Sequence, residues 1–217
     1  NTNMLSDYAA IKNGSYGKLM KAYYAKQDAE KLSGKGDTSQ KLTLMKTSAD
    51  SLKKSADALN DSSLWEKKKI KKKDEKTGEE IEVEDYDWDK ITKAVKSFVE
   101  DYNDVVKEAG ESNTKDVLRN ASWMTGMTDK NSNMLAKIGI TIGKGNKLEL
   151  DEDALKQADI SSLKTVFTGY NSFVSKISQK ATCISNAANR ASATYTNNGT
   201  YSKTDSLLTS SKIDEEV

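Results

Sequence analysis

The sequence predicts a mainly α protein: an elongated bundle or coiled coil of three or four helices with one or two small β-hairpins. Three segments carry apolar residues at alternating spacings of three and four, which place side chains on one helix face. The 217-residue chain contains no proline, the strongest helix breaker. Only 35% of its residues are hydrophobic and 31% are charged, a balance that suits narrow apolar helix stripes better than a thick globular core.

We call these three apolar stripes the helical seams; they lie in 42–59, 89–109 and 170–195. A single helix cannot bury its own stripe, so each seam must pack against another seam of this chain or against a second chain. Spacing alone leaves both alternatives open, including a homo-oligomer. The seam residues are Leu42, Met45, Leu52 and Leu59 in the first, Ile91, Val95, Phe98, Tyr102 and Val105 in the second, and Phe173, Ile177 and Ile184 in the third.

Shorter elements are predicted around the seams from turn and capping residues. They are a helix at 15–32, a helix at 114–125 ended by Gly126, two short strands at 139–142 and 147–150, a helix capped by Asp151, and a helix at 161–167.

A charged segment at 63–88 separates the first two seams. Six lysines surround Ile70 between positions 67 and 73, and seven acidic residues follow between positions 79 and 89. The two arms predict a projecting hairpin that places Ile70 near Ile81 and Val83. The lysines could contact phosphate or lipid, but a solvated hairpin neutralised by its own acidic strand is the favoured interpretation. The residues predicted as a candidate partner surface are Lys67, Lys69, Lys71, Lys73, Trp65 and Trp88.

Tryptophans at 65, 88 and 123 allow two interpretations. They could form a surface for carbohydrate or a protein partner, or they could close the ends of the bundle, which is the more frequent role of such residues.

Composition argues against several functional classes. The chain has 34 basic and 33 acidic residues, so its charge gives no reason to expect nucleic acid or an anionic membrane as partner. No apolar run approaches a membrane span, and no secretory signal peptide is visible. There is no histidine and only one cysteine, which excludes histidine-dependent triads, the usual zinc sites and an internal disulfide. We therefore predict a non-enzymatic protein without cofactors.

Three local features resemble chemical sites but have simpler explanations. Cys183 lacks a histidine to activate it, so we expect a semi-buried small residue beside the third seam. The acidic run 151–153 lacks the ligand spacing of a calcium loop, and a helix cap explains it. The loop Gly143–Lys144–Gly145 is too short for a phosphate-binding loop.

Three passages carry a family resemblance. The sequences LAKIGI, LELDEDALKQA and VFTG, together with FVEDYN in the second seam, resemble the helical, filament-proximal domain of the flagellar filament-capping family, the hook-associated cap. In that family the motifs read L-x-x-I-G-I, G-x-L-x-L-D, V-x-x-L-F-x-G and F-V-x-x-Y-N. The matching residues are Leu135, Ile138, Gly139, Ile140, Leu148, Leu150, Asp151, Leu155, Val166, Phe167, Gly169, Phe98, Val99, Tyr102 and Asn103. The segment 52–59 resembles an earlier helix of the family.

The resemblance implies a flagellum-associated structural protein that is exported without a cleaved signal and lies outside the bacterium. It also implies flagellin-like or self helical partners, assistance to flagellin polymerisation, and in some bacteria adhesion. An adhesin-like surface module that reuses the same scaffold is the alternative. Family members carry large β-rich domains where this chain has only the segment 63–88.

The predicted organisation has four parts. Residues 1–62 are the N-terminal helices, and 63–88 form the charged hairpin. Residues 89–196 are the helical core with its small hairpin, which forms one bundle domain with 15–62. Residues 197–217 are predicted as a flexible tail.

Overall fold

A computed structural model describes residues 36–73 and 80–194 of the chain. The predicted helix at 15–32 and the predicted tail at 197–217 lie outside the described residues, as does the predicted turn of the charged hairpin.

The described residues are mainly helical, with two small antiparallel strand pairs, so the predicted fold class is confirmed. In chain order the helices and strands are α1 (Ser39–Asn60), β1 (Lys68–Lys73), β2 (Glu80–Asp85), α2 (Trp88–Glu111), α3 (Lys115–Lys130), α4 (Ser132–Ala136), β3 (Ile140–Ile142), β4 (Leu148–Leu150), α5 (Glu152–Gln157), α6 (Ile160–Phe167) and α7 (Phe173–Thr194). Two single turns of 3-10 helix complete it, at Ser62–Trp65 and Lys144–Asn146.

The three long helices pack side by side, with α1 between α7 and α2. Contacts at both ends show that α1 runs antiparallel to its neighbours. Near its start, the Lys41 ammonium donates to the carbonyl of Glu111 at 2.6 Å, at the end of α2. Near its end, Asp57 accepts a hydrogen bond from Ser178, in the first turns of α7. The fourth helix, α3, packs mainly on α7.

Side-chain caps define several helix starts. Thr38 accepts from the amide of Lys41 at the start of α1, and Asp87 accepts from Lys90 at the start of α2. Asp151 accepts from Asp153 and Ala154, so its predicted role as a cap is confirmed. Each bond satisfies an amide that would otherwise lack a partner in the first helical turn.

The prediction that Gly126 ends a short helix was wrong, because α3 continues to Lys130. Met124, Thr125 and Thr128 are buried, and Met127 packs against the core. Burial on both sides of Gly126 outweighs the cost of about 1 kcal/mol that glycine carries inside a helix.

Both strand pairs are antiparallel two-stranded ribbons. In the charged hairpin, Ile70 lies directly opposite Val83, as predicted, and Lys71 lies opposite Glu82. In the small hairpin, Ile140 pairs with Leu150. Gly145 and Asn146 turn the chain between β3 and β4 with positive φ values of 70° and 63°, a conformation that glycine and asparagine tolerate best.

Candidate assembly and binding surfaces

The helical seams form the centre of a single hydrophobic cluster. The ring of Phe98 in α2 meets that of Phe173 in α7 edge to face, with centroids 6.2 Å apart. Every predicted seam residue is buried: Leu42, Met45, Leu52, Leu59, Ile91, Val95, Phe98, Tyr102, Val105, Phe173, Ile177 and Ile184. The seams are satisfied within one chain, so a helical partner must use another surface.

A polar ladder that the apolar pattern did not reveal borders the contact between α1 and α7. Ser185 donates to Asp50 at 2.6 Å, and Ser178 donates to Asp57 at 2.6 Å. Lys46 pairs with Asp50 as Lys53 does with Asp57. The seven-residue repeat of lysine and aspartate in α1, matched by serines seven apart in α7, was the available signal.

Asp37 joins the start of α1 to the start of α3. Its carboxylate accepts from the Ser112 hydroxyl at 2.6 Å, from the Thr114 hydroxyl at 2.7 Å, and from the amides of Asn113 and Thr114. Burial raises the pKa of Asp37, but these hydrogen bonds outweigh that effect and keep the pKa below its usual 3.8. Because α3 lacks a side-chain cap of its own, Asp37 supplies one from a distant part of the chain.

The motif residues of α2 hold the small hairpin in place. Asn103 donates to the carbonyl of Leu148 at 2.8 Å and accepts from its amide at 2.7 Å. Asn103 thus pairs with Leu148 much as a neighbouring strand would. The preceding residue of α2 is Tyr102, whose buried hydroxyl donates to Thr128 of α3 at 2.9 Å.

The backbone around Gly139 explains why the L-x-x-I-G-I motif has a glycine at this position. It has φ +78°, and a Cβ built on it would lie 2.6 Å from the carbonyl oxygen of Asp151 and 2.9 Å from the amide nitrogen of Leu155. Its own carbonyl accepts from the Asp151 amide at 2.8 Å. Only glycine allows the backbone entering β3 to approach the start of α5 this closely.

Trp65 was wrongly predicted as part of a partner surface. Its indole is fully buried, donates to the carbonyl of Leu59 at 2.8 Å, and stacks on Phe167 of the V-x-x-L-F-x-G motif. Asn60 reinforces the same junction by accepting from the amide of Gly169 at 2.8 Å. Of the two interpretations of the tryptophans, closing an end of the bundle is the one that applies to Trp65.

The charged hairpin extends away from the helices, and its two strands contact each other far more than anything else. Lys67, Lys69 and Lys71 are exposed. Lys71 forms a diagonal ion pair with Glu80 at 3.5 Å. The side chain of the predicted surface residue Lys73 lies outside the described part of the structure. A lysine lies opposite an acidic residue in four of the six cross-strand pairs, as the favoured interpretation of a self-neutralised hairpin requires.

An open cleft of about 490 Å³ lies at the base of this hairpin. Its lining includes Lys71, Tyr86, Trp88 and Lys156. Trp88 is partly buried and meets Tyr86 edge to face, with centroids 6.3 Å apart. Aromatic rings beside lysines and carboxylates can stack on a ligand and hydrogen-bond to it.

A second groove, about 410 Å³ in volume, runs along the outer side of the contact between α1 and α2. Small residues line it, including Ala58 and Ala94, and Lys54 and Lys93 lie in its wall. Small side chains let another backbone approach closely. At one end, burial raises the pKa of Asp101, and the nearby Asp104 raises it further.

The remaining aromatic and thiol candidates are exposed. Trp123 is 61% exposed, with the Lys180 ammonium 4.5 Å from its ring centroid. Cys183 is exposed rather than semi-buried as expected. Ala181 and Ile184 are the residues of this turn that face the core, and Cys183 lies off that stripe.

The described part of the chain offers no metal centre and no membrane segment. Within it, cysteine and carboxylate side chains form no group able to hold a metal ion. None of its helices combines the length and hydropathy needed to cross a bilayer.

The packed seams, the small hairpin bonded to Asn103 and the two open grooves define a helical bundle. Residues 112–214 match the family described as "Flagellar hook-associated protein 2 C-terminus". The resemblance to the flagellar cap family is therefore confirmed over this part of the chain, and it supports a structural role related to the cap. Comparison with curated proteins found no match, and comparison with solved structures found none.

Proposed function

We propose that this chain is a non-enzymatic structural protein that assists assembly of the bacterial flagellar filament through contacts with flagellin-like helices. The family match over 112–214 is the observation that carries this proposal. The motif residues support it as well, since Asn103, Gly139 and Phe167 each make a contact that holds the motif-bearing elements together.

The groove between α1 and α2 is the surface that best fits such a helix. The seam residues are buried inside the bundle, whereas this groove is open and lined by small residues such as Ala58 and Ala94. Lys54 and Lys93 would attract a helix with acidic residues along its edge.

A pull-down with purified flagellin, supported by light scattering of the mixture, tests the proposal. The unaltered chain should retain flagellin, and reversing both groove charges with Lys54→Glu and Lys93→Glu should reduce the retained amount severalfold. The matched control reverses the exposed Lys137 and Lys144, which lie outside the groove. Equal retention by all three proteins would overturn the assignment of the groove, and no retention by any would overturn the flagellin partnership.

An extracellular location at the flagellum follows from the same proposal. Export should depend on the flagellar export apparatus, so immunoblots of culture medium should lose the protein when that apparatus is removed. Unchanged secretion would refute the link to the flagellum.

The cleft at the base of the charged hairpin favours a second function, that of an adhesin-like surface module for a host or glycan ligand. Tyr86 and Trp88 offer ring surfaces there, and Lys71 and Lys156 offer donors. Deletion of residues 67–84 separates the functions. Lost glycan-array binding with intact filaments would favour the adhesin, and intact binding with lost filaments would favour assembly.

A further inference from the structure

The two strands of the charged hairpin carry opposite charges, which face each other in four of the six cross-strand pairs. In β1 every residue but Ile70 is a lysine, and in β2 four of the six residues are acidic. Each strand pairs along one edge only, because the ribbon has just two strands among the described residues. The hairpin therefore presents one basic edge strand and one acidic edge strand.

Unpaired strand edges are templates for further strands, and a two-stranded ribbon in water is only marginally stable. Apart from occasional contacts, no other described element packs along β1 or β2. An added strand would hydrogen-bond along an edge of β1 or β2 with which no described strand pairs. Lysines on an edge usually hinder such pairing, because they repel other basic strands. The charge of the incoming strand therefore decides whether it can bind beside β1.

Successive side chains of a strand point to opposite faces of the ribbon, so the charges of an added strand must match face by face. Lys69 and Lys71 lie opposite Glu84 and Glu82, so they share one face of the ribbon. A second copy that added its β2 beside β1 would place glutamates next to these lysines in the same way. A copy that added its β1 would place lysine beside lysine, which is unfavourable.

The direction of the strands agrees with this arrangement. When two hairpins lie side by side in the same orientation, the strand order is β2, β1, β2, β1, and every neighbouring pair is antiparallel. The hydrogen-bond pattern and the charge pattern therefore both favour contact between unlike edges. Such a contact is head to tail and leaves one edge free at each end for another copy.

We propose that β1 of one copy pairs with β2 of a second copy, so that copies of this protein associate head to tail through their charged hairpins. The partner is a second copy because this chain itself supplies both complementary edges. This surface is separate from the groove between α1 and α2, so the proposal stands whether or not that groove binds flagellin.

Charge-swapped variants of the full chain test the proposal by sedimentation velocity over a range of concentrations. Lys69→Glu with Lys71→Glu should raise the dissociation constant of self-association about tenfold or more, since two attractive cross-strand pairs become repulsive. Lys137→Glu with Lys144→Glu changes the net charge equally and should leave it unchanged. The association should weaken as salt is added.

The decisive variant adds Glu82→Lys and Glu84→Lys to the first pair, which restores opposite charges within the hairpin. This fourfold variant should self-associate like the unaltered chain. A fourfold variant that stays as dissociated as the first pair would overturn the proposal, as would an unaltered chain that stays monomeric.

Discussion

The indole of Trp65 stacks on the ring of Phe167, with centroids 5.3 Å apart and planes inclined by 10°. The contact joins the turn after α1 to the end of α6, two segments a hundred residues apart in the chain. It therefore ties the family motif at the end of α6 to the first long helix.

We expect Trp65→Ala to lower the free energy of unfolding by about 3–5 kcal/mol, because it removes a large buried ring. Trp65→Phe should cost less, about 1–3 kcal/mol, since it mainly leaves the Leu59 carbonyl without its donor. Urea unfolding followed by circular dichroism measures both. Trp123→Ala is the control and should cost less than about 1 kcal/mol, because that side chain is largely exposed. Equal losses at positions 65 and 123 would contradict the assignment of Trp65 to the core.

Two glycines with positive φ form a matched pair. Gly145→Ala meets open space at φ +70°, so it should cost only the left-handed strain of about 1–2 kcal/mol. Gly139→Ala has a similar φ but drives its Cβ into the backbone at Asp151. It should cost at least about 2 kcal/mol more. Urea unfolding measures the free energy of unfolding of both variants. Similar losses at the two sites would show that the Gly139 backbone does not approach Asp151 closely.

Asp37→Asn should destabilise the protein by about 1–3 kcal/mol at neutral pH, because its hydrogen bonds are then no longer made to a charged carboxylate. The pKa of Asp37 is lowered in the folded state. Its contribution is therefore present above its unfolded pKa near 3.8 and is lost as pH falls through the lower folded value.

The stability difference between the unaltered protein and Asp37→Asn should accordingly be constant well above pH 3.8 and narrow as the pH falls below 3.8. Urea titrations at several pH values measure it. A difference that stays constant below pH 3.8 as well would mean that the carboxylate is not the acceptor for Ser112 and Thr114.

Asn103→Ala removes both hydrogen bonds to the Leu148 backbone and should cost about 2 kcal/mol. Amide hydrogen exchange at Leu148 should become faster, since that amide donates to Asn103 in the fold. Asn120→Ala is the control, because among the described residues Asn120 donates to the Asp116 carbonyl within its own helix. Unchanged exchange at Leu148 would refute the pairing of α2 with β4.

Burial of one face of each long helix was predictable because the apolar residues recur at a regular spacing. Leu52, Phe98 and Ile184 recur with the period of a helix face, so each predicts its own burial without reference to distant contacts. The register of Ile70 with Val83 followed in the same way from two short, oppositely charged arms.

The remaining contacts depend on residues far apart in the chain, which spacing cannot reveal. Trp65 lies between elements and has no periodic neighbours, so its burial became visible only once α6 was placed beside it. Asp37 bonds to residues 75 or more positions away. At Gly126 a local rule failed, because burial on either side of the glycine overrode its low helix propensity.

Deleting the gene tests the proposed role in building the flagellar filament most directly. Filament length by electron microscopy, together with soluble flagellin in the medium, is the measurement. We predict absent or short filaments and a rise in unpolymerised flagellin, both reversed by supplying the unaltered chain. Filaments of normal length with no rise in soluble flagellin would contradict this role.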